Sequence, residues 1–225
     1  MKSDYLGILS SIKQDIERYE ISQINKPSLI VVTKSQSKED IEKIVEAGNK
    51  CLGENYVDEA IKKIDFFKTR SLEWHFIGKI QSNKIKKISK YFDWVQTISS
   101  IKHAELLNQA CEGLSKKMNV CIQVNIDREQ SKSGILIEDL DDLIVNILPL
   151  NNLILRGLMA IPSKINALKE NINSYKILRS EYDRLKNKYK HIDTLSIGMS
   201  NDYKIAMDNG SNMIRIGALI FGERK

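Results

Sequence analysis

A lysine follows the first apolar run of the chain, at the point where a buried strand would end. The stretch "SLIVVTKSQS", residues 28–37, places four apolar residues before Thr33 and Lys34. Desolvation by apolar walls can lower the pKa of a lysine, and the neutral amine is a nucleophile that forms a Schiff base with a carbonyl compound. The alternative is a salt-bridged lysine that supports Glu54 or another carboxylate. Both interpretations stay open from sequence position alone.

Two segments near the end of the sequence are typical of an anion-binding site. "GMS", residues 198–200, precedes a helical segment whose first N–H groups could hold a phosphate, and the Ser200 hydroxyl could add a contact. Gly217 and Ala218 follow the last apolar run and are small enough for a ligand to approach their backbone closely. Taken alone, Ser200 could be only an N-cap and Gly217 only a tight turn. Their combination predicts a phosphate site.

The elements that must position these residues alternate regularly along the chain. Short β-branched or apolar runs are followed by longer amphipathic segments, which is typical of β/α units. Ser37 is the predicted N-cap of the first such helix and Gly48 its predicted end. The predicted strands are 29–33, 50–53, 73–77, 94–98, 119–126, 154–160, 193–197 and 213–217. The predicted helices include 38–47, 56–67, 102–116, 137–148 and 165–189, after a leading helix at 3–19.

Eight units in this length predict an α/β fold, a (β/α)₈ TIM barrel. We expect a single domain over residues 1–225 with an extra N-terminal helix. An open doubly wound sheet is the alternative, but no GxGxxG follows the first strand. In a barrel, active-site residues gather at the carboxyl ends of the strands. Lys34, Asn55 and the region from Ser200 to Gly217 all have such positions.

The composition is that of a globular protein, with 42% hydrophobic and 28% charged residues. No apolar run approaches the roughly 20 residues needed to cross a bilayer, and the N-terminus does not read as a secretory signal. We therefore expect a cytoplasmic protein without membrane association. The three cysteines are scattered and predict reduced thiols, and no motif predicts a metal site.

The formal net charge of +6 raises the question of nucleic-acid binding. The densest basic stretch is "KIQSNKIKKISKYF", residues 79–92. Because Ile85, Ile88 and Phe92 recur at helical spacing within it, we interpret its lysines as the solvated face of a helix. No nucleic-acid motif accompanies them, and we predict no nucleic-acid partner.

Six ordered segments carry a family resemblance that runs from about residue 28 to the last few residues. They are "VVTKSQS", "GENYVDEA", "WHFIGKIQSNK", "QVNIDREQSKSGI", "LRGLMAIP" and "LSIGMSNDYKIAMDNGSNMIRIGALIFGER". Together they resemble the motifs of the YggS/PROSC family of pyridoxal phosphate (PLP) homeostasis proteins. This family resembles the barrel domain of bacterial alanine racemases.

The resemblance implies PLP as the cofactor and a role for particular residues. Lys34 would hold PLP as a Schiff base, with Asn55 beside the cofactor, and Ser200 and the backbone at Gly217 would hold its phosphate. His75 and Met159 would line the pocket. Arg215 would face the pyridine nitrogen. Because arginine stays protonated, the ring would be a poorer electron sink than one paired with an aspartate.

By the same resemblance, we expect a PLP-binding protein of vitamin B6 homeostasis that is not an enzyme. Alanine racemases carry a second, β-rich domain that supplies a tyrosine base, and this sequence offers no clear second base. PLP-dependent apoenzymes would be partners, and the chain would be a monomer. The first alternative is a weak PLP-dependent amino-acid racemase or lyase. A PLP-free aldolase and an RNA- or membrane-binding basic protein follow.

Overall fold

Eight parallel strands form a closed barrel in the order of the sequence, and the first strand pairs with the last. The computed structural model describes residues 5–22, 27–163 and 172–222. The strands are β1 (Ser28–Val32), β2 (Cys51–Glu54), β3 (Glu73–Phe76), β4 (Trp94–Ile98), β5 (Met118–Val124), β6 (Leu153–Ala160), β7 (Thr194–Ser196) and β8 (Met213–Ile216). All eight predicted strands are confirmed, as is the TIM-barrel fold class, and their ends differ from the prediction by at most two residues.

Helices surround the barrel between successive strands. In the described part of the chain they are α1 (Tyr5–Ser22), α2 (Lys38–Glu46), α3 (Val57–Phe66), α4 (Ile85–Tyr91), α5 (Ile101–Glu112), α6 (Leu140–Ile147), α7 (Asn173–Lys188), α8 (Tyr203–Asp208) and α9 (Ala218–Phe221). The leading helix is confirmed as α1. Residues 165–171 of the predicted helix 165–189 lie outside the described residues, and α7 accounts for the remainder.

The predicted ends of α2 and the predicted buried face of α4 are both observed. The side chain of Ser37 caps α2 by accepting a hydrogen bond from the backbone N–H of Asp40 at 3.1 Å. Gly48 follows with a φ of 83°, a left-handed conformation that favours glycine. Ile85 and Ile88 of α4 are buried, whereas the lysines on its other face are exposed or half-buried. The predicted amphipathic helix is therefore confirmed.

Two sets of buried residues stabilise the barrel. The larger set lies between the outer faces of the strands and the helices, as in other α/β barrels. A smaller apolar cluster comes from alternate strand positions inside the barrel and consists of Ile30, Trp94, Cys121, Met159 and Met213. The interior also contains buried polar side chains, namely His75, Gln96, Ser196 and Arg215.

The described residues include no disulfide and no helix long and apolar enough to cross a membrane. Cys111 and Cys121 are buried and Cys51 is half-buried, and all three are free thiols, as predicted.

Candidate functional site

Lys34 follows β1 at the carboxyl end of the barrel. Ile30 belongs to the interior cluster, so the alternation of side chains along a strand places Val32 and position 34 on the same, inner side. Thr33 points the other way, and its hydroxyl donates to Oε1 of Glu54 at 2.7 Å. Ser35 adopts a left-handed conformation with a φ of 63°. The strand thus ends at Val32, and Lys34 and Ser35 form a turn two residues after it.

A buried lysine from α3 anchors the backbone before Lys34. Nζ of Lys63 donates to the carbonyl oxygen of Thr33 at 2.6 Å and to Oε1 of Glu54 at 2.7 Å. Burial raises the pKa of Glu54, and the charge of Lys63 opposes this shift. Glu54 therefore pairs with Lys63. The salt-bridge interpretation of Lys34 named Glu54 or another carboxylate as its partner, and the partners of Glu54 are Lys63 and Thr33.

A second carboxylate anchors the backbone after Lys34. Oε1 of Glu59 lies 2.6 Å from Nζ of Lys63 and accepts a hydrogen bond from the backbone N–H of Ser35 at 2.6 Å. The peptide groups on both sides of Lys34 are thus tied to one ion-pair cluster on α3. Such a cluster fixes where the lysine leaves the strand.

Asn55, at the end of β2, offers an unused acceptor. Its Nδ2 donates to the carbonyl oxygen of Ile77 at 3.4 Å, whereas its buried Oδ1 has no hydrogen-bond partner among the residues that the structure describes. Gly78 packs directly on the Asn55 backbone, and a Cβ at this position would lie 2.1 Å from the Asn55 carbonyl oxygen. The close approach holds Asn55 in place, and the unpaired oxygen suits a ligand donor.

Ser200 and Gly217, predicted to form the anion site, lie close together beside β1. Oγ of Ser200 accepts a hydrogen bond from the backbone N–H of Leu219 at 3.0 Å, which joins the loop after β7 to α9. A Cβ at Gly217 would lie 3.1 Å from both Cβ and the carbonyl oxygen of Val32. The small residue therefore lets this loop pack two residues before Lys34.

Arg215 brings a buried cation to the same end of the barrel. It is 3% exposed, and its guanidinium donates to Oγ of Ser196 at 2.6 Å and to the carbonyl oxygen of Ala160 at 3.0 Å. Desolvation lowers its pKa to about 10, which still leaves it protonated at neutral pH. Met159 precedes Ala160 and is fully buried in the interior cluster.

From Arg215 a chain of hydrogen bonds runs through the interior of the barrel. The Ser196 hydroxyl donates to Oε1 of Gln96 at 2.7 Å, and Nε2 of Gln96 donates to Nδ1 of His75 at 3.0 Å. Nε2 of His75 then donates to Glu73 at 2.8 Å, because a carboxylate can only accept. Every donor in the chain points from the arginine to the glutamate.

His75 lies inside the barrel and contacts Arg215 only through intervening side chains. It is fully buried, it stacks on Trp94 with ring centroids 5.2 Å apart, and burial lowers its pKa, which favours the neutral ring. Both ring nitrogens are already hydrogen-bonded, and two side chains separate it from Arg215. That His75 and Met159 line the pocket stays a prediction. Lys34, Asn55, Ser200, Arg215 and Gly217 all lie at the carboxyl end.

The sequence interpretation missed two groups of residues. One is the pair Lys63 and Glu59, and its signal was a lysine three positions after the buried Ala60 on the apolar face of α3. The other is the polar pair Gln96 and Ser196 inside the barrel. Its signal was a glutamine in the apolar strand "WVQTI".

Comparisons with known proteins give the family and the fold of the chain. A family model described as "Alanine racemase, N-terminal domain" matches residues 9–225. A "Pyridoxal phosphate homeostasis protein" of Pasteurella multocida is 42% identical over 224 residues, 96% of each chain. The structure of PipY from Synechococcus elongatus with PLP bound matches with a TM-score of 0.86 and 28% identity, over 97% of this chain and 100% of PipY. An alanine racemase of Clostridium difficile shares the fold, with a TM-score of 0.72 and 15% identity, over 96% of this chain and 57% of the racemase.

Proposed function

The chain belongs to the family of pyridoxal phosphate homeostasis proteins, and from this membership we propose that it binds PLP and holds or delivers it without catalysing a reaction of its own. The observation that carries the proposal is one juxtaposition. A strand-end lysine, a close-packed glycine loop and a buried arginine meet at the carboxyl end of one barrel.

The residues at this end fit PLP group by group. The backbone at Gly217 and the hydroxyl of Ser200 would form the cradle for the phosphate: the hydrogen bond from the Leu219 N–H to Ser200 joins their two loops, and the absence of a Cβ at Gly217 lets its loop pack closely on Val32. The unpaired Oδ1 of Asn55 can accept a hydrogen bond from the cofactor. Arg215 supplies a buried donor for the ring nitrogen. When bound, PLP supplies an aldehyde that condenses reversibly with an amine, and a ring that withdraws electrons.

Lys34 is the residue that we assign to the aldehyde as its Schiff-base partner. The cluster of Lys63, Glu54 and Glu59 fixes the backbone around it, so the amine is presented from a rigid position. A Schiff base can be exchanged with another amine or hydrolysed. A carrier needs this kind of bond, because it must hold the cofactor and later release it to an apoenzyme.

Arg215 argues for a carrier over an enzyme. Its guanidinium is already fixed by Ser196 and Ala160 and keeps its proton at neutral pH, so it donates to the ring nitrogen and does not protonate it. A ring without that proton withdraws electrons weakly, and proton removal from a bound amino acid is then slow.

We further propose that the chain acts as a monomer.

The absorption spectrum after addition of PLP and desalting tests this function. We expect a yellow band in the wild type and in Lys62→Ala, an exposed lysine of α3, and no band in Lys34→Ala. Circular dichroism checks that each variant is folded. A colourless wild type would overturn PLP binding.

A second assay separates the carrier from the alternative, a weak racemase or lyase. The loaded protein is incubated with amino acids in deuterated water, and deuterium at the α-carbon is followed by NMR. The carrier proposal expects no exchange above that of free PLP. Exchange that exceeds this level and is lost in Lys34→Ala would favour the enzyme.

A further inference from the structure

A second cluster of chemically reactive side chains lies toward the opposite, amino-terminal end of the barrel. Cys51 pairs in register with Glu73 on the adjacent strand, and His75 is two residues further along β3. Because side chains alternate along a strand, all three point to the inside of the barrel. Sγ of Cys51 lies 3.6 Å from Oε1 of Glu73, and Nε2 of His75 lies 2.8 Å from the same oxygen. Their ligating atoms are all within 4.8 Å of one another.

These three side chains are the types that bind borderline transition metals. Zn²⁺ takes Cys sulfur, His nitrogen and carboxylate oxygen, and sites with three protein ligands keep one position for water. Mg²⁺ and Ca²⁺ prefer oxygen ligands alone, so a thiol and an imidazole disfavour them. The sequence did not reveal this set, because its members come from two neighbouring strands and not from one motif.

The cluster is open to solvent on one side. A cavity of about 480 Å³ at this end of the barrel is lined by Glu73, Trp94 and the starts of several other strands. The side chain of Glu73 is 44% exposed, whereas that of His75 is fully buried. An ion could therefore enter from the cavity, and water could complete its coordination.

Trp94 adds an independent indication of a ligand here. It is 5% exposed and lines the cavity, and its indole N–H has no hydrogen-bond partner in the described part of the chain. Trp94 pairs in register with His75 on the adjacent strand, and the two rings stack with centroids 5.2 Å apart. The unpaired N–H thus lies beside the ligand set, where it could donate to a water or anion on the metal.

We propose that Cys51, Glu73 and His75 bind one divalent transition-metal ion, with Zn²⁺ as the best match and water in the fourth position. Binding displaces the thiol proton of Cys51 to solvent. The imidazole stays neutral, because its proton moves from Nε2 to Nδ1. The Gln96 amide rotates so that its oxygen faces the ring and accepts a hydrogen bond from Nδ1. Cys51 and Glu73 lie at the starts of their strands, whereas Lys34 follows the end of β1 at the other end of the barrel, so the metal site can be tested without PLP.

Titration with Co²⁺ tests the proposal, because a thiolate ligand gives a sulfur-to-cobalt charge-transfer band in the near ultraviolet. The full chain is first freed of metal with a chelator. We expect one Co²⁺ per chain, a charge-transfer band, and loss of the band when Zn²⁺ is added. Absence of the band at millimolar Co²⁺ would overturn the proposal.

Variants assign the ligands. Cys51→Ala should abolish the band, and Glu73→Gln should weaken Co²⁺ binding by at least about tenfold. Cys111→Ala is the matched control, since it removes a buried thiol of α5 and should leave the titration unchanged. Three results would contradict the three-ligand site. They are a charge-transfer band that survives in Cys51→Ala, a band that is lost in Cys111→Ala, and Co²⁺ binding by Glu73→Gln that is as tight as in the wild type. Circular dichroism confirms that each variant is folded.

Discussion

Lys63 and Glu54 form a buried ion pair directly beneath the strand end that presents Lys34. Nζ of Lys63 lies 2.7 Å from Oε1 of Glu54, and their side chains are 5% and 0% exposed. The same ammonium group holds the carbonyl oxygen of Thr33. The pair therefore links α3 to the end of β1, and its loss would affect both stability and the position of Lys34.

Lys63→Met should lower the free energy of unfolding by about 3–5 kcal/mol, because Glu54 stays buried without its cation. Urea denaturation followed by circular dichroism measures the change. Lys62→Met, at an exposed position of the same helix, is the control and should change stability by less than about 0.5 kcal/mol.

The double variant Lys63→Met with Glu54→Gln should regain part of the stability lost in Lys63→Met, because the buried carboxylate that Lys63 neutralised is then removed as well. The same urea titration applies. A double variant no more stable than Lys63→Met would show that packing of the lysine stem, not its charge, supports this region.

Gly78→Ala should cost about 1–3 kcal/mol and weaken PLP retention. The new Cβ would lie 2.1 Å from the carbonyl oxygen of Asn55 and push this residue out of place. Gly113→Ala is the control, because Gly113 has a φ of −61° and its Cβ would meet nothing closer than 3.8 Å. Thermal unfolding and the yellow absorbance after desalting report the two effects. Equal behaviour of both variants would mean that the Asn55 backbone yields without consequence.

Gln96→Leu should interrupt the hydrogen-bond chain between Arg215 and Glu73. Nδ1 of His75 loses its donor and the Ser196 hydroxyl its acceptor, and each buried group left unpaired costs about 1–3 kcal/mol. Urea denaturation measures the loss, with Gln109→Leu on the exposed face of α5 as the control. Unchanged stability would indicate that water replaces the amide.

Asp58 should contribute an acid-sensitive increment of stability. Hydrogen bonds from Lys84 and Lys87 lower its pKa from 3.8 to about 2. A carboxyl group whose pKa is lower in the folded than in the unfolded protein stabilises the fold at pH values above its unfolded pKa. The contribution of Asp58 is therefore present above pH 3.8 and is lost as the pH falls toward 2.

Asp58→Asn should therefore lower the melting temperature slightly near neutral pH and reduce the fall of melting temperature in that acid range. High salt should diminish the difference, because Asp58 and Lys87 are exposed and Lys84 is only half-buried. Asp65→Asn, another exposed residue of α3, is the control for a charge change alone. The same acid dependence in wild type and Asp58→Asn would contradict the role of this pair.

The fold could be predicted because local signals and global topology agree. Alternation of β-branched runs with amphipathic segments, a cap at Ser37 and a left-handed Gly48 each indicate an element or its end, and eight such units have one common closed arrangement. The topology then places Lys34 and Gly217 at the same end of the barrel, since both follow strands.

The position of a side chain along the barrel axis and the identity of its hydrogen-bond or ion-pair partner could not be predicted in the same way. Alternation tells which side of a strand His75 faces, but not how far along the barrel axis it lies or that Gln96 occupies one of its nitrogens. Glu54 could pair with any lysine that its surroundings bring near, and only the packing of α3 selects Lys63. These contacts join residues from different elements, so no single stretch of sequence contains them.

The contact between Gly217 and Val32 has a consequence for how the protein is made. It joins the loop after the last strand to the end of the first, and β8 pairs with β1 along its length. During translation the first strand, with Lys34 after it, leaves the ribosome long before β8 does. A nascent chain thus displays Lys34 early but lacks Gly217, one of the residues proposed to hold the phosphate. Because β8 is made last, the barrel closes around the end of β1 only when the last strand has been synthesised, and the proposed phosphate site is complete only in the closed barrel.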